Sequence, residues 1–217
     1  MLLPIHEDPV RAQRRCTSCN IHDIEVEYHG LSCRGPSDHR RRRHDMVVSA
    51  LCDFIRAAVP SARVHKEVDI EANTRTSGGP VSLRCDIKMT VNHSTHYLDV
   101  AITNPCGPTF LKLNRKWEPA FAAAYLENKK IDKYSKRHGE SVGKALIPFG
   151  IECTGRLGPH ATEFVEKLSG LQSIFTIGDD KLKKAREEFK KKMMIILCNG
   201  NAKLVSTYRN WVRDVKN

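Results

Sequence analysis

RCDIKMTVNHSTHYLDVAIT, residues 84–103, sets two short apolar stretches on either side of a polar turn, with Asp86 in the first and Asp99 in the second. Apolar residues alternating around a polar turn read as a β-hairpin. Carboxylates on its two strands can project to one face and share a divalent cation. Magnesium suits such a site, because it takes a few oxygen ligands and keeps several waters.

The flanking segments extend the pattern to an α/β order. ARVHKEVDIEA (62–72) alternates loosely and predicts a strand before the loop NTRTSGGP, with Glu67 a candidate third acid. Upstream, RRRRHDMVVSALCDFIRAAV (40–59) spaces Val47, Leu51, Phe54, Ile55 and Val59 as a helix does, and Pro60 ends it. Downstream, after NPCGP, KWEPAFAAAYLENKKIDKYSKRHG (116–139) predicts a helix with Pro119 in its first turn and Gly139 near its end. KALIPFGIECTG (144–155) resumes as a strand. Helices are expected from about His160 to Leu171 and from Asp179 through KKAREEFKKKMMIIL (183–197). NGNAKLVSTYRNWVRDV (199–215) reads as a separate short helix packed by Val205, Tyr208 and Trp211. The expected fold is a mixed β-sheet flanked by helices over residues 39–217, with a small metal-organised module over residues 1–38.

The 217 residues can bury a core without disulfides, and the formal charge of +11 points to a polyanionic partner. No apolar run approaches the roughly 20 residues that span a bilayer, and the opening MLLPIHEDP turns acidic too soon for a secretory signal. An intracellular protein is expected, nuclear in a eukaryote. Of the eight cysteines, Cys16, Cys19 and Cys33 cluster near the start, while five are scattered through apolar segments. That distribution suits one metal site and reduced thiols. Cys16, Cys19, His29 and Cys33 form a C-x2-C-x9-H-x3-C set that tetrahedral zinc takes, and four protein ligands make the zinc structural. His22, His39 and His44 are alternatives to His29. The basic run Arg40, Arg41, Arg42 and Arg43 is expected at phosphates, as is the segment Lys181 to Lys192.

Strands that hold a hydrolytic metal often continue acid, any residue, lysine, yet Ala101 stands two places after Asp99. A lysine that orients the attacking water need not come from the strand. At about 100° per residue, Lys130, Lys133 and Tyr134 share the half of the following helix that carries Ala122 and Ala123. A lysine on that sheet-facing side is costly without an anionic partner. The acidic site supplies one, so the lysine is expected on this helix, Lys130 ahead of Lys133.

In these motifs the chain resembles the restriction-like endonuclease domain of non-LTR retrotransposon reverse-transcriptase proteins, a branch of the PD-(D/E)XK nuclease superfamily. CTSC with HGLSC, RRRRHD, KEV, RCD, LDVAITNP, AAAYLENKKIDKY, IPFGIECTGRLG and CNGNAKLV run in that family's order from about Cys16 to Leu204. The resemblance implies a CCHC zinc knuckle before a nuclease core that cuts target DNA, so that a 3′ hydroxyl can prime reverse transcription. It implies metal binding by Asp86 and Asp99 with Mg2+ or Mn2+, an acid at Glu67, and a helix motif of Lys130, Lys133 and Tyr134. Glu152 matches a recurring position, and Cys85 stands where a proline is usual. Double-stranded DNA is the implied partner, with element RNA or a reverse-transcriptase domain beside it. With no reverse-transcriptase segment in the sequence, the resemblance implies an excised domain or a free-standing relative. A catalytically silent nucleic-acid-binding module and a junction-resolving or repair nuclease are the competing readings.

Overall fold

A computed structural model describes residues 26–33, 37–70, 83–113, 118–168 and 179–214. In chain order the elements are α1 (Val26–Ser32), α2 (Ser37–Ala58), β1 (Arg63–Ile70), β2 (Leu83–Val91), β3 (Ser94–Thr103), α3 (Pro108–Lys112), α4 (Phe121–Ala145), β4 (Leu146–Glu152), α5 (Pro159–Lys167) and α6 (Asp179–Asp214). The strands form one sheet in the order β1-β2-β3-β4; β1, β2 and β3 pair antiparallel, and β4 joins β3 in parallel. The parallel pair needs a long crossover, which α4 supplies. The fold is thus α/β with a mixed sheet flanked by helices.

Two apolar clusters sit on opposite faces of the sheet. Val47, Leu51, Phe54 and Ile55 of α2 pack with Ile87, Met89, Leu98, Val100, Phe149 and Ile151, and α5 and α6 complete this larger core. Tyr134 of α4 packs with Ile70, Cys85 and Leu146 on the other face. Alternation along β1 and β2 does not persist. Val64 belongs to the larger cluster but Val68 to the smaller, and Ile87 to the larger but Cys85 to the smaller. The reversal falls at Glu67 and Asp86. Glu67 has φ +53° and is skipped in the β1–β2 register between Lys66↔Ile87 and Val68↔Cys85. A left-handed backbone is unfavourable for a residue with a Cβ, so surrounding contacts must hold it there.

Close approach of α4 to the sheet depends on small residues. A Cβ on Gly150 would lie 2.7 Å from the Ala123 carbonyl oxygen, and Ala101 is the register partner of Gly150. Ala101 therefore sits where a longer side chain would meet α4. Glu127, also on α4, is buried and ties the layers together. Its carboxylate accepts from the amides of Gly150, His160 and Ala161, each at 3.0 Å. Two of those amides open α5, where backbone donors have no helical partner.

Two helices differ from the sequence expectation. α4 starts after Pro119 and continues past Gly139 to Ala145, and α6 runs unbroken through Asn199, Gly200 and Asn201 to Asp214. Locally, NGN is a helix-ending signal. Here each part of it has a tertiary task. Gly200 leaves room for the Arg43 side chain, whose Cγ and Cδ would lie 2.7 Å from a Cβ. Asn201 accepts from Arg43 and donates to the Cys153 carbonyl at 2.8 Å. The short helix α1, which no periodicity announced, packs on α6 with Gly30 against Tyr208.

Candidate active site

The β2–β3 ladder runs from the turn to Ile87↔Leu98 and stops there. One step further along the same register, Asp86 stands opposite Asp99. Instead of a ladder bond, the Val100 amide donates to Asp86 Oδ2 at 2.6 Å. The two strands separate at the position where both acids are carried, and the carboxylates are within hydrogen-bonding reach of each other.

Each acid has its own basic partner. Lys130 Nζ, reaching down from α4, donates to Asp99 Oδ1 at 2.6 Å. His44 Nε2, reaching from α2 on the opposite face, lies 3.4 Å from Asp86 Oδ2 and 3.3 Å from the Val100 carbonyl oxygen. Its Nδ1 is 3.3 Å from Asp45 Oδ1. The Tyr134 hydroxyl donates to the Arg84 carbonyl at 3.1 Å and also bonds to Asp99.

These surroundings push the two acids apart. Burial raises the Asp99 pKa, and the adjacent Asp86 charge adds to the rise; Lys130 and Tyr134 offset only part of it. Burial also disfavours the ionised form of Asp86. There the hydrogen bond and charge of His44, the Val100 amide and the bond with Asp99 outweigh it, and the net shift is downward. A carboxylate pair at this range titrates as a unit, with one acid ionising readily and the other reluctantly. His44 in turn is pushed up to about 9, chiefly by its hydrogen bond to Asp86, against the opposing effect of burial. The Tyr134 phenol is pushed up by burial and by the nearby Asp99.

The remaining expected residues are placed differently. Glu67 is exposed and ion-pairs with Arg84, so its carboxylate does not join the two aspartates. Lys133 is exposed, with its ammonium 5.6 Å from the centre of the Tyr134 ring. Arg41 and Arg42 are exposed, and Arg40 is exposed with a guanidinium 3.4 Å from the Cys33 carbonyl oxygen. Arg43 is the departure from the basic run. It is buried and bonded to Asn201, and its Nε has no hydrogen-bond partner. Burial pulls its pKa down. A side chain so enclosed cannot reach a phosphate. Glu152 is buried and accepts from the Thr154 hydroxyl at 3.3 Å.

At the front of the chain, His29 and Cys33 are both buried one helical turn apart, and the His29 ring lies 5.1 Å from that of Tyr208. Cys16, Cys19 and His22 lie outside the described residues. His44, an alternative to His29, lies against Asp86. Among the described residues no group of three or more His, Cys, Asp or Glu side chains could hold a metal ion. Asp86 and Asp99 alone offer a two-carboxylate donor set. That fits a hard cation that keeps much of its water, and does not fit an all-protein cage.

His44 joins the acidic site, a place the sequence motifs do not assign to it. A signal was present, since His44 precedes Val47, Val48 and Leu51 by three, four and seven residues and so begins the buried stripe of α2. Arg43, seven before Ala50 and eleven before Phe54, lies on the same side. No family model matches the chain, and no curated protein matches it.

Proposed function

We propose that this chain is a divalent-metal-dependent DNA endonuclease in which Asp86 and Asp99 hold Mg2+ or Mn2+ and Lys130 serves the phosphate. The observation that carries the reading is the Lys130–Asp99 contact of 2.6 Å, made by a helix lysine reaching an acid opposite Asp86 on the neighbouring strand. A lysine turned toward the sheet is costly without an anionic partner, and Asp99 beside Asp86 supplies one. When bound, the cation lowers the pKa of the attacking water and offsets charge on the phosphate. Lys130 supplies a fixed positive charge at the scissile group, where preorganised charge favours the transition state. Tyr134 holds Asp99 and the β2 backbone together. Glu67, exposed and paired with Arg84, is at most a peripheral contributor.

The order of the sequence motifs supports a place among restriction-like endonucleases of non-LTR retroelements, nicking double-stranded target DNA to prime reverse transcription. Element RNA and a reverse-transcriptase domain are the accompanying partners in that reading. The burial of His29 and Cys33 on adjacent turns supports their joining Cys16 and Cys19 around a structural zinc.

The test is cleavage of supercoiled plasmid by the full chain with Mg2+, Mn2+ or EDTA. Metal-dependent nicking is expected, lost in Asp86→Ala and reduced about 10²–10³-fold in Lys130→Ala, as for removal of one preorganised transition-state donor. Lys133→Ala is expected to stay near wild type. Plasmid that is bound but left intact with either metal, by wild type and Asp86→Ala alike, identifies a silent nucleic-acid-binding module instead. Strong preference for branched over linear duplex identifies a junction-resolving enzyme.

A further inference from the structure

We infer that His44 is a positioning residue for the cation site, fixing the rotation of the Asp86 carboxylate from the face of the sheet opposite Lys130. The inference rests on the reading of Asp86 as a cation ligand and goes beyond it in assigning a role to a residue of α2.

The geometry begins with the broken ladder. A strand residue inside a paired ladder has its side-chain direction set by the pleat. Asp86 stands one residue beyond the last β2–β3 pair, where the side-chain alternation of β2 also reverses. The β1 pairs at Ile87 and Cys85 hold the backbone on either side of it, and the rotation of its carboxylate is set by contacts. Besides the bond between the two carboxylates, two contacts set it, both on the same oxygen: the Val100 amide at 2.6 Å and His44 Nε2 at 3.4 Å from Oδ2. The amide and the neighbouring acid lie on the β3 side and leave the α2 side of the carboxylate unheld. The imidazole, approaching from α2, holds that side and leaves Oδ1 to a cation.

His44 is itself held. Nε2 is 3.3 Å from the Val100 carbonyl oxygen, so one ring nitrogen touches the same residue whose amide binds Asp86. Nδ1 faces Asp45 Oδ1 at 3.3 Å. The preceding residue, Arg43, is buried and bonded to Asn201, which in turn donates to the Cys153 carbonyl just after β4. The backbone that carries His44 is therefore fastened to α6 and to the end of β4. An outer side chain orienting a ligand carboxylate typically contributes 10- to 100-fold to metal affinity or activity.

The experiment measures Mn2+ binding by the full chain without DNA, from the electron paramagnetic resonance signal of free Mn2+, with thermal melting as a check of folding. Wild type, His44→Ala, His44→Asn, His44→Gln and Asp86→Asn are compared. The expected result is about tenfold or greater weakening in His44→Ala and His44→Asn. His44→Gln, whose longer amide can still donate to Asp86, restores most of the affinity, a rescue that a space-filling role would not produce. His44→Asn and His44→Gln carry the comparison if His44→Ala does not fold. Affinity that is unchanged or tighter in His44→Ala or His44→Asn overturns the assignment, because the imidazole would then be neutral towards the cation or compete with it. Wild type that fails to bind Mn2+, or binding that survives in Asp86→Asn, overturns it as well. Mn2+ binding with the expected variant order but without plasmid cleavage leaves His44 as assigned and removes the endonuclease reading.

Discussion

Asp99 carries an upward shift although an ammonium group touches it, and Asp86 a downward one although it is also largely buried. The difference lies in what each acid shares. Asp99 has Lys130 and the repulsion of its neighbour, whereas Asp86 collects a backbone amide and an imidazole. His44 links this asymmetry to pH in the metal-free protein. Its pKa is raised from 6.5 to about 9 by Asp86, so the native state holds the proton more tightly than the unfolded chain. The resulting stabilisation is fully present below about pH 6.5 and is lost as pH rises through 9. Denaturant midpoints of metal-free wild type are therefore expected to fall between pH 6.5 and 9. In His44→Gln that decline should be shallower, and parallel slopes in the two proteins would refute the linkage. At this scale the sequence was partly legible. That Asp86, Asp99 and Lys130 meet was legible in the hairpin pairing and the helix angle, while the place of Glu67 was not, because a positive φ and an exposed arginine draw its carboxylate aside.

At the scale of elements, the site depends on how near α4 lies to β3 and β4. Ala101 and Gly150 form a register pair, Ala122 and Ala123 are buried on α4, and Glu127 bonds through this layer to the start of α5. The alanine that interrupts the acid-x-lysine pattern is thus part of the packing that lets Lys130 reach Asp99. Gly150→Ala tests this. Its Cβ would meet a backbone oxygen at 2.7 Å and Glu127 Cγ at 2.8 Å, and neither a helix carbonyl nor a triply bonded carboxylate can step aside cheaply. Overpacking of this kind costs about 1–3 kcal/mol. The expected outcome is a lower melting temperature and a loss of metal-dependent nicking larger than the stability change accounts for at the assay temperature. Strands and helices with strong period were readable from sequence. The continuity of α6 was not, because NGN is a breaker by local preference and a contact surface only in the presence of Arg43 and Cys153.

On the scale of the whole molecule, the net charge of +11 favours a polyanion, but the fold divides the basic residues into different uses. In the run of four arginines at the start of α2, Arg41 and Arg42 face solvent while Arg43 is enclosed between α2 and α6. Composition cannot separate these roles; the helical repeat and the presence of α6 do. The separation has a measurable consequence in salt dependence. Each phosphate neutralised by a side chain adds about 0.9 to the slope of log affinity against log salt on duplex DNA. If both exposed arginines reach phosphates, Arg41→Ala with Arg42→Ala should lower that slope by about 2 and weaken binding to all sequences alike, leaving the melting temperature unchanged. Arg43→Ala should do the reverse. Removing its guanidinium leaves the Asn201 oxygen without this donor and opens a void beside Gly200, a loss on the order of 1–3 kcal/mol, with the salt slope intact. Titrations of fluorescent duplex across a range of salt concentrations, paired with thermal melts, read both quantities. An Arg43→Ala protein that melts like wild type but binds with a reduced slope would place that side chain at the DNA and contradict its enclosure.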